Sequence, residues 1–429
     1  MAKAGDKVSI VTNEEQVHGV LLPEEKDFLV VKLDSGYNIG IDKRRVKEIK
    51  VVAEHHAKPE TQKHAAQKQG LPKITLLHTG GTIASKVDYE TGAVTSRFTP
   101  EEILALFPEL KDVANIDSRL VRNMASDDMR FAHYNILARE VKKEVAKGVQ
   151  GVIITHGTDT MHYTSAALSF ALRNLPIPVI LVGAQRSSDR GSSDAGMNLI
   201  AAATFIAQSD YAGVGVCMHE TMNDSTCVIL PGTKCRKMHS SRRDAFRSIN
   251  TTPIARLDVK SKRINFFRTD YPRKQQATFA VKPFKEDIQV GILHIHTNMY
   301  AEQFALYKGW NGLILAGTGL GHIPMSEIDN ETKEHVKIFN ALKEVIKSGT
   351  VVAMSIQTLH GQVDMNVYAP GRKLQEAGVI GNLTDLHPET AFIKLAWLLS
   401  NHPKDEAKAL YTSDIAGELT ERIEPGAFP

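Results

Sequence analysis

The hydrophobic pattern changes abruptly near Leu71, and this change constrains the fold more than any other feature of the sequence. Before it, short runs rich in β-branched residues are separated by turn residues, and a polar stretch follows them. After it, short apolar runs alternate with longer amphipathic stretches. Since that alternation is typical of parallel α/β folds, we expect a small all-β unit joined to a larger α/β part.

Residues 1–52 are predicted to form a small β-barrel domain. Strands of this length, closely spaced and separated by turn residues, favour a barrel of the SH3 type. Residues 53–70 contain Pro59 and have no apolar stripe that could be buried, so we interpret them as a linker. The predicted strands of the barrel are 7–11, 17–22, 28–33, 37–41 and 46–51.

The α/β part is expected to hold two domains with open parallel sheets, a larger one at 71–278 and a smaller one at 279–429 with a βαβαβ pattern. The boundary is placed in the aperiodic stretch 266–285. One helix should begin at Thr99, which can cap it ahead of Pro100, and another should cover 129–147. The predicted strands are 73–78, 151–155, 179–182, 213–218, 289–295, 312–315 and 351–355.

Composition excludes several classes of protein. The chain has 429 residues, which is too long for one compact core. Its formal charge of +3 is too small to imply nucleic-acid binding by itself. It contains no run near the ~20 apolar residues that a membrane span needs and no signal-like N-terminus, so we expect a cytoplasmic protein. The three cysteines fit no disulfide or metal pattern and are predicted to be buried thiols.

The first candidate motif, T-G-G-T-I-A-S at 79–85, follows a predicted strand directly. Two glycines let backbone N–H groups approach a substrate and present the side chain of Thr82. A structural role for such a turn is the more common case. The motif also lacks the G-x-G-x-x-G spacing and the final lysine of phosphate-binding loops.

The second motif, I-T-H-G-T-D-T-M at 154–161, again follows a strand. It places the hydroxyl of Thr158 beside the carboxylate of Asp159, a pair suited to moving a proton and holding an ammonium group. The alternative is that Thr158 or Asp159 merely caps the helix that starts near Met161.

Together the two motifs resemble the bacterial-type L-asparaginase and glutaminase family, and the resemblance runs from about Leu71 to the last helix. It implies that Thr82 is the nucleophile that forms an acyl-enzyme. It also implies that Thr158, Asp159 and Lys237 share protons beside it, with Lys234 as the rival lysine. A threonine hydroxyl is a weak nucleophile, so the assignment needs such a base.

The same resemblance assigns substrate contacts. Ser126 and Asp127 match the segment that binds the α-carboxylate and α-amino groups, and backbone N–H groups of the glycine turns, Gly81 among them, would hold the oxyanion. Tyr89 is the candidate for a tyrosine that the family carries on a mobile loop. No metal is expected, because the histidines have no ligand spacing. We expect satisfied core or strand-end positions for His156, His294 and His296.

The barrel and linker that precede the first motif resemble the D-type subunits of archaeal glutamyl-tRNA(Gln) amidotransferases, a branch of this family. That resemblance implies hydrolysis of glutamine or asparagine and transfer of ammonia to an E-type subunit, which would bind Glu-tRNA(Gln), ATP and Mg²⁺. It also implies a homodimer within a heterotetramer, and no cofactor in this chain. Two alternatives remain open: a free asparaginase or glutaminase, and a non-catalytic scaffold whose barrel binds RNA or a peptide.

Overall fold

The computed structural model describes residues 2–22, 27–33, 38–54, 68–81, 85–87, 94–96, 107–186, 193–274 and 278–428. Four predictions lie wholly or mostly outside these residues: the nucleophile Thr82, the loop tyrosine Tyr89, the helix expected at Thr99 and most of the linker at 53–70.

The N-terminal unit is a five-stranded antiparallel sheet with the order β4-β3-β2-β1-β5. It buries Val8, Ile10 and Val31 among other apolar side chains. The described pairings do not join β4 to β5, so closure into an SH3-like barrel stays a prediction. The strands are β1 (Lys7–Thr12), β2 (Gln16–Leu21), β3 (Phe28–Lys32), β4 (Asn38–Asp42) and β5 (Val46–Ala53).

The larger α/β unit begins with β6, at Lys73. Its strands are β6 (Lys73–His78), β7 (Ser85–Val87), β8 (Val94–Ser96), β9 (Asn115–Leu120), β10 (Gly151–Thr155), β11 (Leu172–Arg173), β12 (Val179–Val182), β13 (Val214–His219), β14 (Thr226–Pro231), β15 (Cys235–Lys237), β16 (Phe246–Ser248), β17 (Ala255–Asp258) and β18 (Arg263–Phe266). Its helices are α1 (Phe131–Ala146), α2 (Met161–Ala171) and α3 (Ala195–Gln208).

Eight of these strands form one mixed sheet with the order β18-β17-β14-β13-β12-β10-β6-β9. The five from β9 to β13 run parallel, as expected. Strands β14, β17 and β18 each run antiparallel to their neighbours in the sheet, whereas open parallel sheets were expected. Since only residues 220–225 join β13 to β14, that connection is too short for a parallel crossover.

The smaller unit begins with β19 (Ala280–Val281), which pairs with β11 of the larger unit. A parallel sheet of β20 (Val290–His294), β21 (Gly312–Gly317) and β22 (Val351–Ile356) follows, and its intervening helices confirm the βαβαβ pattern. The helices are α4 (Ala301–Ala305), α5 (Glu334–Lys347), α6 (Ala369–Glu376), α7 (Pro388–Asn401) and α8 (Lys404–Leu410).

Helix α7 joins the two units. Its Leu395 contacts Gly312 at the start of β21, while the ring of Phe392 lies 6.1 Å from that of Tyr163 on α2. Eleven of its 14 residues are buried, so it belongs to one core shared by both units. Residues at the start of α7 can therefore contact residues near the carboxyl ends of the larger sheet.

The cysteines at 217, 227 and 235 are free and buried, which confirms the prediction of reduced core thiols. Across the part of the chain that the structure describes, no helix combines the length and hydrophobicity needed to cross a bilayer.

Candidate active site

The two sequence motifs lie side by side at one edge of the larger sheet. Strands β6 and β10 are parallel neighbours, with His78 opposite Thr155, so the turns that follow them leave the sheet side by side. The backbone N–H and the hydroxyl of Thr79 both donate to the Thr155 carbonyl, at 3.1 and 2.9 Å. Met124, after the edge strand β9, donates its N–H to the Thr79 carbonyl at 3.1 Å. Three segments distant in sequence therefore converge here.

Glycines allow these segments to touch through their backbones. Gly81 has a φ of +81°, and a Cβ placed on it would lie 2.5 Å from the amide nitrogen of Gly157. A Cβ on Gly157 would lie 2.8 Å from the Cβ of Ser126. No side chain fits at either contact without moving its neighbours, and at Gly81 the positive φ also favours glycine. The predicted site residues Gly81 and Ser126 are thus next to the second motif.

Lys237 reaches the second motif from a different element, the hairpin β15–β16. Its Nζ donates to Thr158 Oγ1 at 2.8 Å and to Asp159 Oδ1 at 2.8 Å. The Lys237 side chain is 8% exposed, whereas that of Asp159 is 69% exposed. The ammonium group is therefore largely shielded while one face of the carboxylate remains open to a solute.

Helix capping does not account for the second motif. Helix α2 begins after Thr160, which makes no side-chain cap hydrogen bond and instead donates its hydroxyl to the Ser126 carbonyl at 2.6 Å. Thr158 is buried and accepts from Lys237, and its own hydroxyl proton has no acceptor among the described residues.

The rival lysine has a different role. Lys234 is buried and pairs with Asp385 of the smaller unit at 2.5 Å. Burial lowers the pKa of Lys234, and the nearby Asp385 carboxylate opposes that shift. The structure therefore brings Lys237 to Thr158 and directs Lys234 into the contact between the two units.

The remaining predicted substrate residues lie beside the same turn. Ser126 is buried, with its Oγ 3.4 Å from Asp127 Oδ1, and Asp127 is exposed. Asp127 thus presents a carboxylate to solvent one residue from the Ser126–Gly157 contact. Thr82 follows Gly81 directly in the chain, although both it and Tyr89 lie outside the described residues.

The histidines behave as expected of structural residues. His156 is fully buried, with its ring nitrogens 2.7 Å from the Gly157 carbonyl and 2.9 Å from the Thr164 hydroxyl. Burial lowers the pKa of His156 to about 4. His294 and His296 lie exposed at the end of β20. Within the described ranges, no three His, Cys, Asp or Glu side chains gather as a metal site would require.

A polar cleft beside Lys237 was not anticipated from the sequence. It is lined by Asp159, His162, Tyr163, Arg236, Lys237 and Glu389, together with residues 238–240. His162 is buried, its Nδ1 has no hydrogen-bond partner among the described residues, and burial lowers its pKa to about 3. Glu389 comes from α7, so no local sequence pattern could have placed it beside Lys237.

Three family descriptions match successive parts of the chain. Residues 2–52 match the GatD N-terminal domain, 73–271 match the N-terminal asparaginase domain, and 289–410 match the glutaminase/asparaginase C-terminal domain. The combination covers both the N-terminal sheet and the site described above.

Full-length relatives decide the family. The chain is 46% identical to the D-type subunit of the glutamyl-tRNA(Gln) amidotransferase of Pyrococcus furiosus, covering 99% of this chain and 97% of the relative. It is 40% identical to the corresponding D-type subunit of Methanococcus maripaludis, covering 98% of each. The chain belongs to the family of glutamyl-tRNA(Gln) amidotransferase D-type subunits.

Solved structures resemble this D-type family member over its α/β units. An L-asparaginase of Thermococcus kodakarensis superposes with a TM-score of 0.71 at 32% identity, covering 82% of this chain and all of that one. L-asparaginase I of Vibrio cholerae gives a TM-score of 0.70 at 28% identity over the same share of this chain and again all of the other. The fold around Thr158 and Lys237 is therefore that of an asparaginase.

Proposed function

We propose that the chain hydrolyses the side-chain amide of glutamine, or of asparagine, and supplies the ammonia that converts Glu-tRNA(Gln) into Gln-tRNA(Gln). The observation that carries the proposal is the packing of Gly81 on Gly157 beside the hydrogen bond from Lys237 to Thr158. The contact between Gly81 and Gly157 places the Lys237–Thr158 pair, which would transfer the proton, beside the turn that leads into Thr82. An asparaginase fold and the D-type relatives support the same reaction.

In the proposed reaction, the Thr82 hydroxyl attacks the amide carbon, and its proton passes to Lys237, directly or through Thr158. Backbone N–H groups of the glycine turns hold the oxyanion. The carbon–nitrogen bond then breaks and the nitrogen leaves as ammonia with that proton. Water next attacks the Thr82 ester, releasing glutamate or aspartate and restoring the hydroxyl. The Lys237 amine must be neutral when it accepts the proton.

The open carboxylates would position the amino acid. Asp159 uses one oxygen to bind Lys237 and leaves a largely exposed carboxylate for the substrate ammonium group. Ser126 and Asp127 would hold the α-carboxylate and α-amino groups, and Tyr89 would close over them. These roles combine positions from different loops, which is why the arrangement depends on the tertiary fold.

The proposed assembly places the tRNA chemistry on a partner. The region matching the GatD N-terminal domain and the D-type relatives support pairing with an E-type subunit. That partner would bind ATP, Mg²⁺ and Glu-tRNA(Gln), and this chain would form a homodimer within a heterotetramer. No cofactor is proposed for this chain.

Replacing the nucleophile tests the proposal. Thr82→Ala should reduce ammonia release from glutamine by more than about a thousandfold, because no acyl-enzyme can form. Thr332→Ala, in the smaller unit, is the matched control and should retain activity. Unchanged turnover in Thr82→Ala at an unchanged melting temperature would rule out this residue as the nucleophile.

Partner dependence tests the amidotransferase assignment. The isolated chain should show weak glutaminase activity that rises when an E-type subunit, ATP and Glu-tRNA(Gln) are added. Full activity of the chain alone, with no response to these components, would favour a free asparaginase.

A further inference from the structure

The hairpin β15–β16 that carries Lys237 is small and separate from the large sheet. It pairs three residues with three: Cys235 with Ser248, Arg236 with Arg247 and Lys237 with Phe246. A two-stranded hairpin of this length is marginally stable by itself. Contacts from outside the hairpin must therefore hold Lys237 in its place.

The larger unit supplies some of these contacts, such as the one from Arg247 to the Glu220 carbonyl, and the smaller unit supplies others. Arg236, the residue before Lys237, donates from Nε to Glu389 Oε1 at 2.9 Å, and its Nη2 lies 2.7 Å from the same oxygen. The other oxygen, Oε2, lies 2.9 Å from His387 Nδ1. Glu389 is the second residue of α7 and its side chain is 8% exposed. An exposed ion pair contributes little to position, but a shielded and hydrogen-bonded one holds its partners tightly.

The chain of contacts returns to the hairpin. His387 Nε2 lies 2.9 Å from the hydroxyl of Thr390, and that hydroxyl donates to the backbone carbonyl of Thr233 at 2.8 Å. Thr233 precedes Arg236 by three residues. We call these four side chains the interdomain clamp: Arg236, Glu389, His387 and Thr390. The clamp contacts the start of the hairpin at two points, the Arg236 side chain and the Thr233 carbonyl.

The ionisation of Glu389 agrees with this geometry. Burial alone would raise the pKa of Glu389, but the hydrogen bond from His387 and the charge of Arg236 outweigh it. The pKa of Glu389 is consequently held well below its usual range, so the clamp keeps a carboxylate at neutral pH.

A second anchor holds the far end of the hairpin. Asn250 donates from its side chain to the backbone carbonyls of Gly361 and Asp385, both at 2.9 Å, and accepts from the Gly361 N–H at 2.9 Å. Both ends of the hairpin are therefore fixed to the smaller unit. Lys237 lies between these two anchors, and its side chain contacts Thr158 of the larger unit.

We propose that Glu389 is a positioning residue for the amide hydrolysis: through Arg236 it fixes the hairpin from which Lys237 reaches Thr158 and Asp159. This inference rests on the proposed function. Glu389 acts on the reaction only through Lys237, while Gly81, Ser126 and Asp127 are held by other elements. Its loss should consequently impair proton transfer and leave substrate binding nearly intact.

The test is Glu389→Gln, which keeps the shape of the side chain and removes its charge. The assay measures glutamine hydrolysis by the full chain, together with its partner where the two copurify. We expect kcat to fall about 10- to 100-fold, the cost of displacing a catalytic group by about 1 Å, with KM changed less than about threefold. Arg236→Lys, which keeps the charge but loses the planar guanidinium, should lower kcat by a smaller factor and serves if Glu389→Gln does not fold.

Glu144→Gln is the matched control. Glu144 is also a buried carboxylate, 2.9 Å from Arg119 Nη2, but it lies on α1, an element outside the hairpin and the clamp. We expect this variant to lower the melting temperature and leave kcat unchanged. An equal loss of kcat in Glu144→Gln, or normal kcat in a folded Glu389→Gln protein, would overturn the positioning role. If Glu389→Gln does not fold, normal kcat in Arg236→Lys would overturn it instead.

The wild-type and Thr82→Ala proteins separate this inference from the function beneath it. If wild type releases ammonia, Thr82→Ala does not, and Glu389→Gln keeps full kcat, only the positioning role fails. If wild type releases no ammonia, or Thr82→Ala retains turnover, the proposed function fails and the positioning role fails with it.

Discussion

The large mixed sheet and the small parallel sheet of this protein differ at the edge where their parallel strands end. At the carboxyl edge of the larger sheet, Gly81 and Gly157 bring backbones into contact, and the hydroxyl proton of Thr158 has no acceptor among the described residues. At the same edge of the smaller sheet, Gln357 donates to the carbonyls of Ile295 and Ala316, so its polar side chain holds the edge together.

We interpret this difference as a division of roles between the two units. At the edge of the larger sheet, backbone contacts between glycines bring the turns together beside Thr158, which accepts a hydrogen bond from Lys237. The smaller unit instead supplies carboxylates, Asp385 and Glu389, that bind cations in and beside the hairpin of the larger unit. In the proposed site, the smaller unit would therefore act by fixing the geometry of the hairpin.

The sharpest test compares the two lysines of the hairpin region. Lys237→Met should lower kcat about 10²- to 10⁴-fold, because the proton-transfer group is removed, with little change in melting temperature. Lys234→Met should cost about 3–5 kcal/mol in the free energy of unfolding, because Asp385 would be left buried without its partner. Steady-state kinetics and chemical denaturation of both variants measure the two effects.

The comparison would be contradicted if Lys234 supported catalysis and Lys237 did not. A Lys237→Met protein with normal kcat would remove this residue from the chemistry. A Lys234→Met protein with normal stability and low kcat would restore Lys234 as the rival base.

Glycine substitutions test the same division with a smaller effect. A Cβ on Gly157 would lie 2.8 Å from Ser126 Cβ, and one on Gly371 of the smaller unit would lie 2.5 Å from the Met365 carbonyl oxygen. Both alanine variants should lose about 1–3 kcal/mol of stability through overpacking. Only Gly157→Ala should also lower kcat/KM, by about tenfold or more, because it separates the converging turns.

Gly426→Ala is the control, since among the described residues no atom beyond its two chain neighbours lies within 4 Å of the Cβ it would add. Its stability and activity should match wild type. Equal losses of kcat/KM in Gly157→Ala and Gly371→Ala would show that the two units do not differ in function.

A further test concerns pH and distinguishes the two units by their histidines. Burial lowers the pKa of His78 and His156, both in the larger unit, from 6.5 to about 4. The unfolded chain then binds protons before the folded one, so stability should fall as the pH drops from about 6.5 towards 4, at up to about 1.4 kcal/mol per pH unit for each histidine.

Denaturation at pH 7, 6 and 5 measures this slope. His78→Gln should reduce the slope, whereas His296→Gln, at the exposed edge of the smaller sheet, should leave it unchanged. An identical slope in wild type and His78→Gln would contradict the proposed origin of the acid sensitivity.

Strong periodic segments could be predicted from the sequence, and weakly patterned ones could not. Strands β6, β10 and β12 lie where apolar runs placed them, and helix α1 falls within two residues of its prediction. Strand β9 was missed because it is a polar edge strand with the sequence NIDSRL. The short antiparallel strands β15 and β16 were missed because three residues carry no usable period.

For the site, the sequence showed which residue types follow each strand but not which of them touch. It singled out Thr158 and Asp159, and it favoured Lys237 over Lys234 without a physical reason to choose. The choice needed coordinates, because Lys234 directly precedes the hairpin β15–β16 and Lys237 ends its first strand. Only their partners distinguish them: Lys237 contacts Thr158, and Lys234 contacts Asp385.

The sequence by itself determined the order of units, the two strand-to-turn motifs and the chemistry that their hydroxyl and carboxylate groups can perform, since local pattern and residue type act over a few neighbouring positions. The tertiary structure alone decided that Gly81 packs on Gly157, that Lys237 reaches Thr158, and that Glu389 holds Arg236. Such contacts join residues far apart in the chain, and their formation depends on burial and backbone packing that no local pattern records.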